Sequence, residues 1–149
     1  MAGDGRAFVD TNVLLYAYDA GEVAKQPVAK ATLDQLWRER NGTLSTQVLQ
    51  EFYSVATRKL DPPVRRPEAR EIIDLYAAWP VVVIDPSLIL AATRIEEAHQ
   101  LSLWDALIVE AARVAGAERL LTEDLQHGQT IEGVRIENPF LARPRSEKV

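Results

Sequence analysis

The sequence predicts an α/β fold: a central, mainly parallel sheet of four or five strands, flanked by helices. Three observations predict it. Short apolar runs alternate along the chain with segments whose apolar residues recur at helical spacing. Helical segments separate the first four of those runs, and strands joined through helices pair in parallel by right-handed crossovers. The length, 149 residues, suits one domain with a sizeable core.

Residues 7–10 read as a short strand, followed by a helix through Leu14, Leu15 and Tyr18. Over 25–40, Ala29, Leu33, Leu36 and Trp37 fall on one helical face. Residues 43–45 are a short strand, chiefly from their place between two helices. The helix over 46–59 carries Val48, Phe52 and Val55 on one face and Leu49, Tyr53 and Ala56 beside it, with Thr46 as the expected N-cap. Asp61-Pro62-Pro63 marks a loop, and Pro67 fits the start of a helix over 68–79 that Pro80 closes. Val81 to Ile84 is the clearest strand, unbroken, β-branched and bounded by Pro80 and Pro86. Helices over 87–99 and 103–115 follow, the second ending at Gly116. A strand over 119–122 and a weaker one over 134–137 complete the set, and 142–149 is a polar, frayed tail. The expected domain therefore spans 1–149, with its core at about 6–140.

Composition narrows the function. Cysteine is absent, so disulfides and thiolate metal sites are excluded and a reducing compartment suits the chain. Met1 to Arg6 has no apolar h-region and no apolar run is long enough to span a bilayer, so the expected location is cytoplasmic, with no membrane partner. A net charge of −5 argues against coating nucleic acid electrostatically, but not against cutting it. Basic residues cluster at Arg58-Lys59 and at Arg65, Arg66 and Arg70; a solvated face is the commoner use of such a cluster. Tyr16, Tyr53 and Trp79 offer surface for a dimer or partner groove, but aromatic residues more often pack in cores.

Four acids stand out. Asp10 ends the first strand and Asp124 follows the fourth, whereas Glu51 and Asp105 fall in the first two turns of helices. Crossover helices run antiparallel to the strands, so helix N-termini share an edge with strand C-termini, where open α/β sheets bind ligands. All four acids converge there. Each alone has an ordinary explanation: Asp10 and Asp124 as turn or N-cap residues, Asp105 as the fourth member of a capping box begun by Ser102. Glu51 is harder to dismiss, since it borders the apolar face formed by Val48, Phe52 and Val55. Asp105 heads a stripe of Ile108, Val109 and Ala112, and a carboxylate on a buried face needs a partner. Gathered carboxylates repel one another unless a hard cation neutralises them, which points to a divalent metal and phosphate chemistry. Thr11 and Thr122 can donate to these acids, and Asn12 can orient a carboxylate or touch phosphate.

These residues resemble a known family. Phe8-Val9-Asp10-Thr11-Asn12-Val13-Leu14-Leu15-Tyr16 looks like the opening motif of PIN-domain ribonucleases. Ser45 to Tyr53 resembles the second motif, with Glu51 at its acid; Ser102 to Val109 the third, with Asp105; Leu120 to Leu125 the fourth, with Asp124. The motifs occur in family order across nearly the whole chain, and the small size is most similar to VapC-type toxins of toxin–antitoxin pairs. The resemblance implies a PIN-like three-layer sandwich and a Mg²⁺- or Mn²⁺-dependent endoribonuclease. It further implies a homodimer held inactive by a cognate antitoxin, with Asp10 and Asp105 as chief metal ligands and Glu51 and Asp124 completing the pocket. Arg58 is the expected guide for the RNA strand. One departure matters: many relatives carry a further acid where this chain has Gln126-His127-Gly128. Glu123 is the candidate to compensate, and His127 reads as an ordinary loop residue.

Two other classes share acids at strand ends. A haloacid-dehalogenase-type phosphatase needs a second Asp two residues after the first, where Asn12 stands. A receiver domain needs adjacent acids after the first strand and a Lys after a late one, and has neither here. A catalytically silent PIN-like module, binding RNA or protein through the same cleft, is the remaining alternative.

Overall fold

The computed structural model describes residues 5–141. The expected frayed tail over 142–149 lies outside the described residues. The elements run β1 (Ala7–Val9), α1 (Thr11–Ala17), α2 (Lys25–Glu39), β2 (Gly42–Ser45), α3 (Thr46–Arg58), α4 (Arg66–Tyr76), β3 (Val81–Val82), α5 (Pro86–His99), α6 (Leu103–Val114), β4 (Arg119–Leu121), β5 (Thr130–Ile131) and β6 (Val134–Glu137).

The sheet order is β3-β2-β1-β4-β6-β5, parallel throughout except for the β5–β6 pair. Ala7, Phe8 and Val9 are fully buried, as a central strand covered on both faces requires. From β1 the chain crosses to β2 on one side, and β4 later returns to the other side. The C-terminal ends of β1 and β4 thus flank the point where strand order reverses, the usual ligand crevice of such sheets. Helix α1 packs on α2 and α3, α3 on α4, and α5 on α6, which lies against β2, β4 and β6.

The helical faces follow the apolar spacing closely. Ala29, Leu33 and Leu36 of α2 are buried, as are Ala69, Ile72 and Tyr76 of α4. On α3 the buried stripe is Val48, Phe52 and Ala56, with Val55 only half-buried, so the face is turned one residue from expectation. Helix α6 is buried continuously from Ala106 to Ala112. It ends in a Schellman motif: Gly116 at φ 72° donates to the Arg113 carbonyl, and Ala117 donates to that of Ala112. Trp79 and Tyr76 pack in the core with half-buried Trp37, and Tyr16 and Tyr53 are half-buried as well.

Three expectations need correcting. Among the described residues the sheet has six strands: β5 pairs with β6 through a two-residue turn at Glu132 and Gly133, φ 52° and 81°, the geometry of a tight hairpin. Val81 to Ile84, read as the clearest strand, contributes only Val81 and Val82. That strand sits at the edge with β2 as its one partner among the described residues; Val83 turns out to solvent, and the Ile84 N–H goes to Thr46 Oγ1 at 3.2 Å. Thr46 is therefore not the N-cap of α3. Ser45 is, accepting from the Val48 N–H at 3.3 Å, which leaves the Thr46 hydroxyl to tie down the end of β3.

Candidate active site

Asp10, Glu51, Asp105 and Asp124 all line one cleft of about 270 Å³, with Thr11, Asn12, Leu15, Gln47, Trp104 and Ile108. None of these lining residues is basic.

Asp10 caps α1 and is 5 % exposed. Its Oδ1 accepts from the Thr11 N–H at 2.7 Å and its Oδ2 from Thr122 Oγ1 at 2.8 Å. Both donors are neutral. The other buried carboxylate among the described residues, Glu110, is clasped by the Arg113 guanidinium at 2.8 and 2.6 Å. Asp10 forms no ion pair among the described residues. Burial pushes its carboxyl up to about 7 against the pull of Thr122 and Thr11, and the nearby charges of Asp124 and Glu51 add to the rise.

Glu51 is half-buried on α3; its Oε1 accepts from Thr11 Oγ1 at 2.7 Å and its Oε2 from Gln47 Nε2 at 3.3 Å. Asp105 sits in the first turn of α6, where its N–H donates to the N-cap Ser102 Oγ at 3.1 Å. The capping role expected for Ser102 holds. Burial raises the Asp105 carboxyl above the usual range, helped by Asp124 and Glu51 and opposed by Ser102. Asp124 is exposed; Asn12 Nδ2 donates to its Oδ2 at 3.0 Å and to Thr122 Oγ1 at 3.3 Å. Asn12 Oδ1 accepts from the Glu123 N–H at 3.4 Å, so this one side chain pins the loop after β4.

Two expected residues lie elsewhere. Arg58 is exposed on the last turn of α3 and does not line the cleft. Glu123 faces another way: it accepts from Tyr16 Oη and pairs with Lys25 Nζ at 2.9 Å, so it does not supply the acid missing after the fourth motif. His127 Nδ1 accepts from the Asn138 N–H at 3.0 Å, the ordinary loop role expected of it. Sequence reasoning overlooked Gln47 and Trp104. The first stands four residues before Glu51 on one helix, a spacing at which side chains meet, and that spacing could have found it. Gln47 Nε2 also reaches the Trp104 carbonyl at 3.4 Å, joining α3 to the start of α6.

A model of the PIN domain matches residues 7–130. The chain belongs to the PIN domain family. Solved structures with the same fold include VapC20 of Mycobacterium tuberculosis, a Sarcin-Ricin loop cleaving toxin, at 24 % identity and TM-score 0.62 over 79 % of this chain and 91 % of that one. A toxin–antitoxin complex from Klebsiella pneumoniae matches at 18 % identity and TM-score 0.64, over 89 % and 97 %. FitAB bound to a DNA fragment matches at 18 % and 0.68, over 93 % and 99 %. No curated protein sequence matches.

PIN domains commonly bind Mg²⁺ and are typically nucleases. The residues of this PIN domain fit such an ion by the chemistry of the donor set: oxygen ligands only, a buried carboxylate without a cationic partner, and no basic residue in the lining. Gln47 Oε1 is a further oxygen there, buried without a hydrogen-bond partner. Among the described residues no three acidic or histidine side chains stand as a ready-made ligand set. Mg²⁺ does not require one, since it keeps several waters and takes one or two carboxylates together with substrate phosphate. Among the described residues no helix is long and apolar enough to cross a membrane.

Proposed function

We propose that this PIN domain is a Mg²⁺- or Mn²⁺-dependent endoribonuclease, the toxin of a toxin–antitoxin pair, hydrolysing RNA phosphodiester bonds. One observation carries the reading: a buried Asp10, held only by neutral donors, shares a cleft without basic residues with Glu51, Asp105 and Asp124.

Asp10 and Asp105 are the proposed metal ligands. When bound, the ion supplies Lewis-acid activation of water and offsets charge on the phosphate undergoing attack. The chain's own part is positioning. Thr122 and Thr11 fix both oxygens of Asp10, so that carboxylate pays little ordering entropy on binding. Thr11 and Gln47 each donate to a different oxygen of Glu51, leaving lone pairs to accept from water beside the phosphate. Asn12 holds Asp124 in the same way. Arg58 stands outside the cleft, where it would guide the strand electrostatically and not touch the reacting phosphate. Single-stranded or loop RNA is the substrate, because a side-chain-lined edge cannot reach bases within an A-form helix. A homodimer, a cognate antitoxin and a cytoplasmic location belong to the same reading; the antitoxin's support is that a solved structure of the same fold is a toxin–antitoxin complex.

The departure at Gln126-His127-Gly128, where many relatives carry a further acid, favours a second reading, a catalytically silent module that binds RNA or protein through the same cleft. An RNA cleavage assay with Mg²⁺ and with EDTA separates them. The nuclease reading expects cleavage that needs the metal and disappears in Asp10→Asn and Asp105→Asn. A folded parent chain inert on single-stranded RNA with either ion favours the silent module.

A further inference from the structure

We infer that Trp104 is a stacking platform that receives one nucleobase of the RNA beside the cleaved phosphate. The inference rests on the nuclease reading and adds a substrate-positioning residue to it.

Trp104 is 63 % exposed, while every other aromatic side chain of the described residues is buried or half-buried. Leaving an indole in water is unfavourable, and this one lies on the rim of the acidic cleft, adjacent in sequence to Asp105. Leu15 and Ile108 line the same cleft, giving it apolar wall on which a base can rest. The platform is anchored as well. Gln47 Nε2 donates to the Trp104 carbonyl at 3.4 Å and to Glu51 Oε2 at 3.3 Å, so the backbone carrying the indole is registered against an acid of the cleft. Stacking needs only a π-face, so Trp104 would bind any base and position the strand without reading its sequence. With a net charge of −5 and no basic side chain in the lining, the cleft's own residues offer RNA little electrostatic attraction beyond a bound ion, and apolar stacking adds affinity that side-chain charge does not.

The test is cleavage of a short single-stranded RNA and of a set in which each position in turn is abasic. For the parent, one abasic position should raise KM roughly 5- to 100-fold with kcat little changed. Trp104→Ala should raise KM similarly on the intact RNA and lose nothing further at that position, whereas Trp104→Phe should retain most of the affinity. Losses that multiply, or a parent-like KM in Trp104→Ala, overturn the inference. A parent-like KM together with lost binding of a co-expressed antitoxin would assign the indole to a protein contact instead. If the parent cuts nothing, the nuclease reading fails, and indole fluorescence decides the platform separately. Quenching by the oligonucleotide in the parent but not in Trp104→Phe retains it, and an unquenched parent removes it.

Discussion

Thr122 Oγ1 donates to Asp10 Oδ2 at 2.8 Å, joining residues 112 positions apart in sequence. The same oxygen accepts from the Asp124 N–H at 3.0 Å and from Asn12 Nδ2 at 3.3 Å. One hydroxyl proton and both lone pairs are therefore in use. Thr122 is fully buried at the end of β4, beside the end of β1, and couples two of the cleft's acids through a single atom.

Thr122→Val keeps the shape and removes that atom. Asp10 loses its principal lowering influence, so its carboxyl rises further and the acid limb of a pH–rate profile should move to higher pH. Leaving buried polar groups unpaired should cost about 1–3 kcal/mol, read by urea denaturation. An unchanged acid limb would show that Thr122 does not govern Asp10.

Asp10 also makes a pH-dependent contribution to stability. Its folded value, about 7, lies above its ordinary 3.8, so the folded metal-free protein holds a proton that the unfolded chain gives up. That contribution is complete below about pH 4 and is lost as pH rises through about 7, with roughly 4 kcal/mol as its upper bound. Denaturation in EDTA should show the parent less stable at pH 8 than at pH 5, and Asp10→Asn less sensitive over the same window. Mg²⁺ should restore stability to the parent at pH 8 by mass action. Equal slopes in parent and variant would contradict the unpaired, buried carboxylate.

Glu123→Gln distinguishes the cleft from its surroundings. Because Glu123 is engaged by Lys25 and Tyr16 and does not line the cleft, the variant should keep cleavage within a few-fold of the parent, with an unaltered Mg²⁺ requirement. A loss as deep as that of Asp105→Asn, measured side by side, would restore Glu123 to the metal site.

The site was more legible in the sequence than the edges of the sheet. Asp10, Glu51, Asp105 and Asp124 were placed by topology alone, since strand ends and helix starts must share an edge in a parallel fold. A replacement for the acid missing at Gln126-His127-Gly128 is not legible in this way, because spacing along the chain does not say that Glu123 turns toward Lys25. Thr46 and Ser45 are both good N-caps, and only the demand of the Ile84 N–H decides between them. Val81 to Ile84 has the strongest β-propensity in the chain, yet an edge strand extends only as far as its one neighbour pairs with it. β5 is two residues within a polar loop, too short for any periodicity to register.

Gly42 tests how tightly β2 is packed. A Cβ there would lie 2.6 Å from the Trp79 indole, whose ring is held by Trp37 and Tyr76 and has little room to yield. Gly42→Ala should lose about 1–3 kcal/mol of stability by overpacking, seen as a lower denaturation midpoint. Stability at or above that of the parent would mean the aromatic cluster gives way freely.

The proposed activity requires one cation held by acids from separate elements. Mn²⁺ binding followed by electron paramagnetic resonance measures this without any substrate. The parent should bind the ion in a saturable manner, competed by Mg²⁺, and Asp10→Asn and Asp105→Asn should each weaken it at least about tenfold, ~1.4 kcal/mol. Binding unaltered in both folded variants, or none detectable in the parent at millimolar Mn²⁺, would contradict it.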